Sequence, residues 1–155
     1  MTTREHPPAT APAPAPGGVE RTVGRRARLL VGGFYLSMGG VHVGIVAADP
    51  QLYRHFADSA LLDFVRSGWS EVFMAAPAVW GLCLALGETV LGVLLLTGGR
   101  PARLGWVGVI AFQVLLMLFG WGVWLWSIPA LAVLVPCAVA DWPALGRWHS
   151  GQNLT

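Results

Sequence analysis

At 155 residues, 55% hydrophobic and only 12% charged, the chain has room for one domain and lies outside the composition of soluble proteins. A formal charge of +2 is too small to draw nucleic acid, and two cysteines without C-x-x-C spacing, Cys83 and Cys137, give neither a disulfide framework nor a zinc site. The fold class that remains is all-α: an integral membrane four-helix bundle with the lipid bilayer as its solvent.

Residues 1–24 open with an Ala-Pro stretch, MTTREHPPATAPAPAPGG, which has almost nothing to bury and reads as a disordered tail. Four arginines between Arg21 and Arg28 lead into the first apolar run, 29–48, whose twenty residues cover about 30 Å as a helix, the thickness of a hydrocarbon core. Arg25-Arg26 and Val46-Ala47-Ala48 faintly resemble a twin-arginine signal, but the run is long for a signal core and three more spans follow, so it reads as a retained span. Residues 49–70 are mixed in polarity. As a helix they place Leu52, Tyr53, Phe56, Ala60 and Phe64 on one side and Arg54, His55, Asp58 and Arg66 largely on the other, which predicts a short amphipathic surface helix anchored by Trp69.

The second span, 72–97, is longer than a bilayer requires and is expected to tilt or to kink at Pro77. Gly98, Gly99, Arg100 and Pro101 predict a tight turn into a third span at 102–120, and a fourth follows at 123–140. Trp121, Trp124 and Trp126 between them fit an aromatic belt. The transmembrane domain is thus 25–145, and 146–155 form a short tail. All ten basic residues are arginine, which fits the coding bias of a GC-rich bacterial genome. Eight of them, Arg4, Arg21, Arg25, Arg26, Arg28, Arg100, Arg103 and Arg147, fall on one side of the four spans. Basic residues mark the cytoplasmic side, so both termini are expected there, in a bacterial inner membrane.

An ionisable side chain in a bilayer costs about 3 kcal/mol on insertion scales and therefore demands a reason. Glu88 and His42 are the two within spans that do. With a rise of about 1.5 Å per residue, Glu88 lies about 14 Å, Gln113 about 17 Å and His42 about 20 Å from the arginine side, so the three can meet. Gly81, Ala85, Glu88 and Gly92 share one face of small residues, and Gly40 and Gly44 flank His42, which points Glu88 into the bundle. The pattern fits a hydrogen-bonded group that fixes helix register, and it also fits a pair that handles protons or binds a ligand. Haem would need Met38 or Met117 as second ligand to His42, and one histidine with one carboxylate leaves a metal's coordination sphere mostly empty. His55, Asp58, Asp63 and Glu71 read as a solvated face, with a polar mouth over the bundle as the alternative.

The arginine-led first helix with Gly39-Gly40 and His42, the Gly87-Glu88 pair before VLGVLLLTGG, the arginine-containing turn and the Gly-Trp-Gly stretch before Pro129 resemble the DoxX-like family of bacterial four-helix membrane proteins. The likeness covers roughly residues 25–140, and the long segment 49–70 departs from the simplest members. It implies a small subunit of a quinone- or thiol-linked redox complex, with a redox-protein partner or a homo-oligomer. Glu88 comes first and His42 second as residues that carry its chemistry, and Gln113 is the candidate third wall of a quinone or lipid pocket. Without paired cysteines, thiol exchange would belong to a partner. The other functional classes that the residues allow are an acid/base enzyme acting on a lipophilic substrate through Glu88 and His42, and a non-catalytic structural membrane protein.

Overall fold

Leu30 and Leu125 are each 75% exposed, and Leu86, Val107, Val133 and Val139 are also open on helix faces. A water-soluble protein rarely spreads apolar surface so widely, whereas a bilayer rewards it. The computed structural model describes residues 17–146, and all regular structure among them is helical. Four of its helices are long and apolar enough to cross a membrane, so the chain is a multi-pass helical bundle in contact with lipid.

Helix α1 runs from Gly17 to Ala48, so residues 17–24, assigned to the tail on composition, are helical instead. The reason lies across the bundle: Gly24 packs on the backbone of Asp141, 2.9 Å from where a Cβ would stand, and the Arg28 guanidinium pairs with the Asp141 carboxylate. The rest of the tail and residues 147–155 lie outside the described residues.

The segment after α1 is not one amphipathic helix. Asp49 accepts a hydrogen bond from the Gln51 amide and starts a 3-10 turn at Pro50–His55; an irregular stretch follows, and α2, Asp63–Gly68, runs into a π-turn at Trp69–Phe73. Tyr53, Ala57, Ala60 and Val65 are buried, whereas Leu52 and Phe64, expected on the same side, are exposed. The break rotates the second half relative to the first. Pro77 does not kink a longer helix. It sits in the first turn of α3, Pro77–Thr97, where its missing N–H removes no helical bond.

Helix α4, Gly99–Leu116, follows after one residue, Gly98, and α5, Trp121–Asp141, follows a 3-10 turn at Met117–Phe119 and Gly120. Both links turn through left-handed glycines, Gly98 at φ 75° and Gly120 at φ 89°. A Cβ at Gly98 would stand 2.7 Å from Arg28 Nη1, and one at Gly120 would run into the Ser59 carbonyl. Each turn is therefore closed against another element as well as being sharp.

The helices form a ring in the order α1, α3, α4, α5. The stripe Gly81, Ala85, Glu88 and Gly92 is buried as expected. Its partners on α1 are Gly32 and Gly39, since a Cβ at Gly92 would come within 2.8 Å of the Gly32 carbonyl and one at Gly39 within 2.8 Å of the Ala85 carbonyl. Gly40 and Gly44, expected to serve this contact, face open space, because they lie on other sides of α1. At the end where α1 begins and α5 finishes, Tyr35, Leu95, Trp106, Val109 and Leu134 fill the ring with a packed core. At the opposite, loop end a smaller cluster of Ala57, Ala60 and Val65 packs with Trp69 and Phe119. The site lies between the two.

Candidate functional site

Between core and loop cluster lies a cavity of about 470 Å³ with contributions from every span. From α1 come Tyr35, Met38 and His42, residues spaced i, i+3, i+7 and therefore on one face. Helix α3 supplies Glu88, α4 supplies Phe112 and Gln113, and α5 supplies Val123 and Trp126. Tyr53, Phe56, Trp69 and Phe119 form the roof.

One wall is an acid–imidazole–phenol chain. The His42 Nε2 lies 3.5 Å from Glu88 Oε2, and His42 Nδ1 lies 2.6 Å from the Tyr53 hydroxyl. Burial pushes the Tyr53 phenol above its ordinary pKa, and the neighbouring Glu88 charge adds to the shift. Tyr53 therefore keeps its proton; it donates to Nδ1 when His42 carries its hydrogen on Nε2 and accepts from Nδ1–H in the other tautomer, and the 3.5 Å approach of Nε2 to Glu88 Oε2 makes no hydrogen bond. The Glu88 side chain is only 5% exposed, yet its Oε2 has no hydrogen-bond partner. A buried carboxylate oxygen in that state carries a desolvation cost that a hydrogen-bond donor in the cavity would relieve.

The second wall is neutral. Ser127 donates to Gln113 Oε1 at 3.1 Å, and Gln113 Nε2 donates to the Tyr35 hydroxyl at 3.4 Å. Ser127, Gln113 and Tyr35 are all buried. Glu88, His42 and Gln113 thus line one cavity, but they form two groups across it: Glu88 pairs with His42, and Gln113 pairs with residues of α1 and α5. No family model, curated protein or solved structure matches the chain. The chemistry of the site has to come from these side chains.

The roof is aromatic. Trp69 stacks on Phe73 at 3.8 Å between ring centres, meets Phe119 edge-on at 5.1 Å, and donates its indole N–H to the Tyr53 carbonyl. Phe56 lies against both Trp69 and Phe119. Trp69, expected as an interfacial anchor, is thus built into the cover of the cavity. Of the three tryptophans of the expected belt, Trp121 is the most exposed, while Trp126 lines the cavity as well as facing outward. His55 and Asp58 pair at 2.8 Å on the open surface, 80% and 67% exposed, and belong to a solvated face, not to a mouth.

Among the described residues no three histidine, cysteine or acidic side chains converge to hold a metal, and both cysteines are free, Cys83 exposed and Cys137 half-buried. The chemistry the cavity offers is hydrogen bonding and proton exchange with a flat, mostly apolar guest. Sequence reasoning missed Tyr35, Tyr53 and Ser127. The signal for Tyr35 was present: it stands seven residues before His42 on the same face of α1. Tyr53 carried none, because its position is set by the turn at Pro50 that folds it back over His42.

A separate buried polar group ties the other end. Arg28 Nε lies 3.1 Å from Asp141 Oδ2, Arg28 Nη1 donates to the Leu95 carbonyl at 3.0 Å, and the Trp106 indole donates to Asp141 at 3.0 Å. All four spans meet there.

Proposed function

We propose that this chain is a bacterial inner-membrane subunit, its termini cytoplasmic, that holds a quinone-like lipid for a membrane-associated redox partner. The observation that carries the reading is the unpartnered Glu88 oxygen facing a largely aromatic cavity of about 470 Å³, a volume suited to one ring and the start of its tail. A quinol hydroxyl donates a hydrogen bond to Glu88, and on the opposite wall the Gln113 amide offers a donor to the other ring oxygen. When the redox partner takes the two electrons, the quinol becomes the quinone and gives up its two protons, for which Glu88 and His42 are the exit. The resemblance to DoxX-like proteins supports the same ligand class, and with no cysteine pair in the sequence thiol exchange would belong to the partner. An acid/base enzyme acting on another lipophilic substrate would use the same Glu88–His42 pair and is distinguished by turnover.

The test is isolation from the native host in mild detergent, extraction and mass analysis of bound lipid, and titration of the lipid-depleted protein with a short-tailed benzoquinol, read by tryptophan quenching. Wild type binds and Glu88→Leu weakens binding by roughly tenfold or more, while Glu88→Gln, which keeps the shape and a polar end, retains a measurable part. Equal titrations for wild type and Glu88→Leu, or no binding by either, would overturn the proposal.

A further inference from the structure

The cavity is floored by the packed core at one end and roofed at the loop end by Tyr53, Phe56, Trp69 and Phe119, of which only Phe56, at 41%, is open to the outside. Its sides are different. Phe34 and Trp126, from α1 and α5, line the cavity and are at the same time 41% and 55% exposed. Their rings are in contact across the α1/α5 seam, with 6.1 Å between centres and a tilt of 31°, so that this one aromatic pair closes the seam at the level of the cavity. Toward the termini the seam is shut by the Arg28–Asp141 pair and by Gly24 packed on the Asp141 backbone. Toward the loop end the next lining residues, Met38 and Val123, are half-buried, and Gly122 is exposed. A side chain that lines the cavity and also faces the surroundings marks a wall one side chain thick, and the α1/α5 side has three such residues, Phe34, Trp126 and Gly122. The outward surroundings of α1 and α5 at this level are the lipid-facing surface of membrane spans.

From this geometry we infer a lateral window between α1 and α5, with Phe34 and Trp126 as its jambs, through which the apolar tail of a ring-headed lipid leaves the cavity for the bilayer. The ring lies against Glu88, His42 and Gln113. The tail passes between the two aromatic jambs when their ring contact parts. The inference rests on the ligand reading above and sharpens it: the guest is an amphipath drawn from the membrane, with a hydrogen-bonding flat head and a chain too long for the cavity, and not a solute from water. The roof and the α3/α4 side are the alternative openings, since Phe56 and Leu115 line the cavity and are 41% and 60% exposed, but each presents one open residue where the α1/α5 side presents three.

The experiment compares two probes, a tailless dimethoxy-benzoquinol and the same ring with a decyl chain, titrated by tryptophan quenching into the protein in lipid nanodiscs. The variants are Val123→Trp and, from the opposite jamb, Met38→Trp, which narrow the window, and Leu84→Trp, which fills the α3/α4 side. Monodisperse elution serves as the folding control, and either narrowing variant suffices. The expected result is a loss of affinity roughly tenfold larger for the tailed probe than for the tailless one in the narrowing variants, whereas Leu84→Trp, which fills the cavity one turn from Glu88, weakens both probes alike. Equal losses of both probes in the folded narrowing variants, or a selective loss of the tailed probe in Leu84→Trp, would overturn the window and leave the site intact. Wild type that binds neither probe overturns the site and the window together.

Discussion

At the residue scale, the chain concentrates its buried charge at two points, and their geometry separates their roles. Asp141 accepts from Trp106 and ion-pairs with Arg28, and Arg28 Nη1 reaches the Leu95 carbonyl, so this end is a lock that joins all four spans even though Arg28 Nε makes no hydrogen bond. Removing one partner strands a charge that is 1% exposed on the aspartate side, and breaking such a pair costs about 3–5 kcal/mol. Arg28→Leu or Asp141→Leu should therefore lower the thermal midpoint in detergent markedly, and the double variant should recover much of the loss; equal melting of wild type and both single variants would show that the pair is not coupled. Glu88 Oε2 is likewise ion-paired without a hydrogen bond, but it borders the cavity, where a guest can supply the donor. Tyr53 gives this wall a pH signature. Its folded pKa is raised above 10.0, so the protonated phenol's contribution to stability is complete below that value and fades as pH climbs through the folded one. In a Tyr35→Phe protein the phenolate absorbance should appear with a midpoint above 10.0, and a midpoint at or below it would mean that burial does not hold the proton. His42, Glu88 and Gln113 could be read from sequence because polar groups stand out in an apolar run. Arg28 read only as a topology marker, because its acid lies 113 positions away, and nothing local announces such a partner.

At the scale of elements, hydropathy located all four spans because lipid imposes the same apolar length on each. It could not separate packed glycines from lipid-facing ones, since both sit in the same apolar run and differ only in helical phase against a neighbour that the sequence does not show. Gly39 and Gly40 are adjacent and opposite in this respect: a side chain at Gly39 meets the Ala85 carbonyl and Thr89, while one at Gly40 meets nothing within 4 Å. Gly39→Leu should force α1 from α3 and disperse the Glu88–His42 pair, whereas Gly40→Leu should add apolar surface toward lipid with little effect on the melting midpoint. Comparable destabilisation by both would place the α1–α3 contact elsewhere. The segment between α1 and α3 was the least legible. Its amphipathic spacing is real over each half, but a continuous helix is interrupted after His55, and only the fold shows that Tyr53 and Trp69 are drawn over the cavity while Leu52 and Phe64 are released.

For the whole molecule, the two ends of the bundle do different work, and orientation in the membrane decides which compartment each work serves. The lock end carries Arg25, Arg26, Arg28, Arg100 and Arg103; the loop end carries Arg54 and Arg66, balanced by Asp49, Asp58 and Asp63. Positive charge resists translocation, so the lock end is expected inside and the roofed cavity in the outer half of the bilayer. That orientation gives the Tyr53–His42–Glu88 chain a direction: protons released from a guest at Glu88 would leave toward the outer face, and electrons would have to be collected by a partner reaching the same half of the membrane. A reporter active only outside the cytoplasm, fused after Thr155, should be silent, and the same reporter inserted after Phe56 should be active. The reverse pattern would turn the bundle over and, with it, move the proton exit to the cytoplasm.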